Sequence, residues 1–160
     1  MSQQYTNELT PELAASLARP PFSAEKKAAM SEGAHQVVEE QEVFMREHPV
    51  VAIYRIAVDG ALTRRGGVVR AMWNGAEIEL DGGQKVNIAL VGDEVVYPDG
   101  TTARIVTGSG AKFQKSGQSI ALVGSRLSNG DVIISTPQAG CMLNELKGLP
   151  VDDDFLPAEG

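Results

Sequence analysis

The pentapeptide IALVG occurs at Ile88-Gly92 and again at Ile120-Gly124, and a looser copy, IAVDG, at Ile56-Gly60. Neighbouring copies are 32 residues apart. A fixed period across three copies constrains the fold more than any other property of the chain, because it means one supersecondary unit used three times. Ile56, Ile88 and Ile120 open the copies, and Gly60, Gly92 and Gly124 close them. Each copy leads through a turn into a second apolar segment: Gly67-Val68-Val69, Arg104-Ile105-Val106 and Asp131-Val132-Ile133-Ile134. These segments are rich in β-branched residues, which suit a pleated, half-buried surface. The turns carry matching chemistry in Arg65-Gly66-Gly67, in Tyr97-Pro98-Asp99-Gly100 and in Asn129-Gly130, the strongest short hairpin signal. Each unit therefore reads as strand, tight turn, strand. One hairpin is marginal in water, so three similar hairpins are expected to pack about a common pseudo-threefold axis.

The fold class expected is mainly β: a body of three β-hairpin repeats over residues 50–138, preceded by an α-helical extension over 1–49 and followed by an acidic, flexible tail over 139–160. Trp73-Asn74-Gly75 and Asp81-Gly82-Gly83 add a further hairpin in the first connector, and Gly108, Gly110 and Gly117 loosen the second. Aromatic residues are only 5% of the chain, so the core is built of valine, isoleucine, leucine and alanine. That favours a slim, closely packed body over a large aromatic-lined pocket.

The net charge of −7 is unevenly placed. Residues 1–49 carry −4, residues 50–136 carry +1 and residues 137–160 carry −4. A nucleic-acid binder needs the reverse, a basic stripe on its folded part, so nucleic acid is not expected as a partner. One cysteine, Cys141, excludes an internal disulfide framework and a multi-cysteine zinc site. No run approaches the roughly 20 apolar residues of a membrane span, and the first residues lack a secretory signal pattern. Synthesis in the cytoplasm is expected, with no export by the general secretory route.

In the flanks, Thr10-Pro11-Glu12 supplies a cap, a first-turn proline and a first-turn acid. Arg19-Pro20-Pro21 ends that helix. A second helix is expected over 23–47, with Met30, Ala34, Val37, Val38, Phe44 and Met45 as its apolar stripe. It suits packing on the β body or on a second copy, or docking of a chaperone, adaptor or cargo.

No catalytic constellation is present. His35 and Glu39 stand four apart but lack further ligands, and His48 suits the end of a helix. Gly108-Ser109-Gly110-Ala111-Lys112 fails the spacing of a phosphate loop. Asp152, Asp153 and Asp154 are consecutive, which does not preorganise a cation site. Cys141 has no neighbouring histidine, so packing is its expected role. Glu77 and Glu79 alternate onto one solvent face.

The repeat region, from about Val51 to Gln138, resembles the PAAR-repeat family. The matching stretches are Asp59 to Val69, Val86-Asn87-Ile88-Ala89-Leu90-Val91-Gly92-Asp93, and Ile120-Ala121-Leu122-Val123-Gly124-Ser125. The resemblance implies a non-enzymatic cone. One copy would cap the trimeric valine-glycine-repeat spike of a type VI secretion system and sharpen it for transient membrane contact. Effectors, adaptors or chaperones would dock through residues 1–49, and the injection apparatus would deliver the tip out of the cell. A phage or tailocin baseplate tip is an alternative. A small β-barrel binding module that self-associates through residues 23–47 is an alternative of another class. Many relatives hold a metal near the apex with histidines and a cysteine. At the matching positions, again 32 apart, this chain carries Arg65, Tyr97 and Asn129. None is a good zinc or iron ligand, so no metal and no cofactor are expected.

Overall fold

The computed structural model of the protein describes residues 3–20 and 22–157. They form two compact units. One holds the described residues of 1–7, 54–143 and 151–160, and the other those of 8–53 and 144–150.

The first unit is mainly β, and its centre is a closed ring. Ala89 N–H donates to Ala57 O, Ala121 N–H donates to Ala89 O, and Ala57 N–H donates to Ala121 O, each at 2.9 Å. The three repeat strands thus pair in a cycle, with antiparallel bridges Ile56 to Leu122, Val58 to Ile88 and Leu90 to Ile120. The period of 32 is the spacing of this ring.

Strand alternation then sorts the side chains. Ala57, Ala89 and Ala121 are fully buried in one cluster with Val69, Val95, Ile105 and Ile133. Ile88, Leu90, Ile120 and Leu122 face a second cluster, completed by Phe155, Trp73, Ile78 and Tyr54. In the two IALVG copies the alanine and valine therefore face the first cluster, and the isoleucine and leucine the second.

Each repeat strand ends in a turn closed by Ala61 N–H to Val58 O, Asp93 N–H to Leu90 O, or Ser125 N–H to Leu122 O. Gly60, Gly92 and Gly124 occupy its third position at φ of 92°, 98° and 104°. A type II turn needs that left-handed backbone, which glycine adopts without a Cβ penalty. Asp93 and Ser125 also accept the N–H of Leu90 and Leu122 with their side chains, at 2.8 and 2.9 Å. Ala61 cannot do this, and Thr136 Oγ1 accepts the Val58 N–H instead.

Beyond these turns, Leu62–Thr63, Val68–Arg70, Glu94–Val96, Thr102–Arg104 and Ile133–Ser135 form one five-stranded antiparallel sheet. The hairpin expected in the first connector is present as Glu77–Glu79 paired with Lys85–Asn87. Glu77 and Glu79 are exposed there, and Ile78 packs inward.

Three expectations about the flanks need correction. Residues 3–7 are not helical but are stitched to the β unit. Tyr5 exchanges both backbone hydrogen bonds with Thr136, and Asn7 Nδ2 donates to Val123 O at 2.7 Å. The buried Arg55 explains the attachment. Its guanidinium donates to the carbonyls of Thr6 and Ala139 and lies 5.7 Å from the Tyr5 ring centroid.

The C-terminal segment is not a free tail either. Met142–Leu146 is a strand paired with Val50–Arg55. Phe155 is buried, edge-on to Tyr54 at 4.8 Å. Leu156 N–H donates to Gly108 O, and Asp154 accepts the Ala111 N–H. One aromatic side chain outweighs the neighbouring acids, because burying it removes far more apolar surface than any exposed aspartate loses. Phe155→Ala is expected to free this segment. Hydrogen exchange at the Leu156 amide should accelerate strongly, while exchange in the Ala57, Ala89 and Ala121 ring stays slow.

In the second unit, α1 (Pro11–Ala18) follows its predicted signal: Thr10 Oγ1 accepts the Leu13 N–H at 3.1 Å. The single helix expected over 23–47 is two, α2 (Ala24–Ala28) and α3 (Glu32–Glu47). Ser23 caps α2 and Ser31 caps α3 through their hydroxyls. Ser31 satisfies an amide that has no partner inside the new helix, which favours a restart over continuation. Among the described residues, no helix is long and apolar enough to cross a membrane.

Candidate functional site at the hairpin turns

The three hairpin turns meet around one buried carboxylate. The turns open at Thr63, Tyr97 and Leu127, whose N–H groups donate to Gly67 O, Thr101 O and Asp131 O. By this register the structural equivalents are Arg65, Asp99 and Asn129. Tyr97 stands two residues earlier, so the alignment of Arg65, Tyr97 and Asn129 at the 32-residue period is not a structural equivalence. The cause is hairpin length. Gly60 and Gly124 donate to Val69 O and Ile133 O, whereas Gly92 donates to the more distant Ile105 O. The second hairpin has two more residues on each strand.

The three side chains nevertheless converge. Tyr97 Oη donates to Asp131 Oδ2 at 2.6 Å, and Asn129 Nδ2 donates to Tyr97 Oη at 3.0 Å. Arg65 N–H donates to Asp131 Oδ1 at 3.2 Å, and Arg65 Nη1 donates to Asn129 O at 3.2 Å. Val132 N–H also donates to Asp131 Oδ1, at 2.8 Å. The Asp131 N–H donates in turn to Asn129 Oδ1. The Thr63 hydroxyl faces Asp131 and Tyr97, and its Oγ1 accepts the Gly67 N–H at 2.8 Å. Asp131 was not singled out as a site residue from sequence. Its signal was its place directly after Asn129-Gly130, where a turn-closing carboxylate can reach back over the turn.

Burial pushes the Asp131 carboxyl up. The hydrogen bonds from Thr63, Tyr97 and the amides of Val132 and Arg65 outweigh it and hold the group below the usual aspartate range. Burial and the bond to Asp131 push the Tyr97 phenol above its ordinary value. An ionised aspartate beside a neutral tyrosine is therefore the stable pairing, and the cluster ties all three hairpins together. It offers no nucleophile–base pair.

The donor set does not suit a zinc or iron ion. Its side chains are hydroxyl, phenol, amide, guanidinium and one carboxylate whose two oxygens already accept hydrogen bonds. Among the described residues no group of three metal-ligating side chains is found. Elsewhere, His35 lies 3.6 Å from Glu39, which also faces Lys27 at 3.5 Å. His48 caps α3 and its Nδ1 lies 2.8 Å from Lys147 O. Cys141, expected to pack, is exposed.

Residues 59–135 match the family model described as the PAAR motif. This segment carries the PAAR motif. The matched PAAR stretch contains the three repeat glycines, the three hairpins and every residue of the Asp131 cluster. The PAAR motif implies a spike-tip-like protein of contractile injection systems, a structural rather than an enzymatic role. No curated protein and no solved structure matches the chain.

Proposed function

We propose that this chain is a spike tip that seats, as one copy, on the trimeric valine-glycine-repeat protein of a type VI secretion system. It sharpens the spike for puncture and carries an effector or adaptor on its helical unit. The observation that carries this reading is the hydrogen-bonded ring of Ala57, Ala89 and Ala121. A single chain that repeats its backbone every 32 residues about one axis offers a trimer three similar surfaces at once. A hydrogen-bonded cluster in place of a metal then holds the hairpin turns during delivery out of the cell. Membrane contact is transient, and the near-neutral β body gives nucleic acid no basic stripe.

The test is stoichiometry. Co-expression with the cognate trimeric spike protein, followed by light scattering on the purified complex, should give one copy of this chain per trimer. No complex, or three copies per trimer, overturns the proposal.

A further inference from the structure

We infer that the apolar groove along α3 docks an amphipathic helix of a partner protein, one that presents a lysine or arginine to Glu42. The inference rests on the reading of the helical unit as a docking region and gives its partner a chemistry.

α3 carries an apolar stripe but buries only Val38. Val37 is 53% exposed and Phe44, seven residues on along the same stripe, is 45% exposed. Three depressions of about 520, 570 and 410 Å³ adjoin here, and Met45 lines all three. Leu17 and Ala18 of α1 form the facing wall of the first. From Val37 to His48 the stripe runs roughly 16 Å, about three helical turns. A groove of that length and lining fits helix-in-groove recognition.

Charge decides the occupant's sign. Over 8–53 and 144–150 the unit has nine acidic and five basic side chains. Glu40 lines one depression, and Glu42 lines another together with Arg46. The Glu42 side chain is 11% exposed, and its Oε2 accepts from Lys27 Nζ at 2.8 Å. Its Oε1 is buried with no hydrogen-bond partner among the described residues. A buried carboxylate oxygen without a donor is costly. A lysine or arginine that reaches Glu42 Oε1 supplies the donor that Lys27, bound to Oε2, does not. A second copy of the chain brings the same acidic face and is repelled.

The test uses the whole chain and a fluorescent peptide about three helical turns long, with leucine and lysine at helical spacing. Fluorescence anisotropy should show saturable binding. Phe44→Ser with Val37→Ser should weaken it roughly tenfold or more, and Glu42→Gln several-fold. A leucine–glutamate peptide of the same pattern should not saturate. Equal binding by the double variant, or by both peptides, overturns the inference. So does a dimer in sedimentation that Val37→Ser alone dissolves, since a second copy would then be the occupant. Circular dichroism checks folding, and Val37→Ser alone stands in if the double variant unfolds. A chain that caps the trimer yet ignores the peptide defeats this inference only, and the converse result defeats only the capping.

Discussion

Ala89→Leu is expected to destabilise the β unit by about 3 kcal/mol, the upper part of the usual range for overpacking. The site leaves no room to relax. Ala89 is fully buried, and its backbone is held on both sides: its N–H donates to Ala57 O and its carbonyl accepts from Ala121, both at 2.9 Å. A larger side chain must push the strand outward and break a ring bond, or distort the packed cluster of Val69, Val95 and Ile105. For a chain of this size the melting temperature should fall by roughly 6–12 °C. Because the ring is cyclic, Ala57→Leu and Ala121→Leu should cost similar amounts. Ala76→Leu, at a partly buried position beside the second cluster, should be far milder. Thermal melts of the four variants decide it. If Ala89→Leu melts with Ala76→Leu, the ring is not the tightly packed centre described above.

The ring was legible because its residues obey one period and one alternation, and both follow from repeated strand pairing. The hairpin turns were legible as turns, through Asn129-Gly130 and Tyr97-Pro98, but not in their register. A period fixes the strands that touch each other. It does not fix hairpin length, because a longer hairpin can be offset by a shorter connector. That is what happens between Gly92 and Gly124, so Tyr97 matched Arg65 and Asn129 by number and not by position. Convergence on Asp131 involves residues from three hairpins, and no local pattern encodes it. The break before α3 was partly visible: Ser31-Glu32-Gly33 holds a capping serine, a first-turn acid and a weak helix former. The docking of Phe155 was not visible, because a lone aromatic among aspartates reads as solvated until its partner Tyr54, far away in sequence, is in place.

Asp131→Ala should cost the β unit about 3 kcal/mol or more, and Asp131→Asn should cost less while removing an acid transition. In the alanine variant the Tyr97 hydroxyl and the amides of Arg65 and Val132 lose their acceptor together. The buried Tyr97 hydroxyl left without a partner costs about 1–3 kcal/mol, and the Arg65 and Val132 amides, on residues that water partly reaches, add less. The pH dependence carries a definite sign. The folded-state pKa of Asp131 is depressed, so its contribution is fully present above the unfolded value of about 4. It is lost as pH falls through the lower folded value. Tyr97 is shifted the other way, so its contribution holds below about 10 and fades as pH rises through its raised folded value. Between those limits the cluster should be insensitive to pH. Denaturant titrations from pH 7 down to about pH 2 should show a stability loss below pH 4 that Asp131→Asn lacks. An unchanged acid limb in that variant would assign the loss to other carboxylates and leave Asp131 a minor partner. The alanine result is separate, since it reads the three orphaned donors at neutral pH. If the melting point then falls by only a degree or two, the hairpins are held by strand pairing alone.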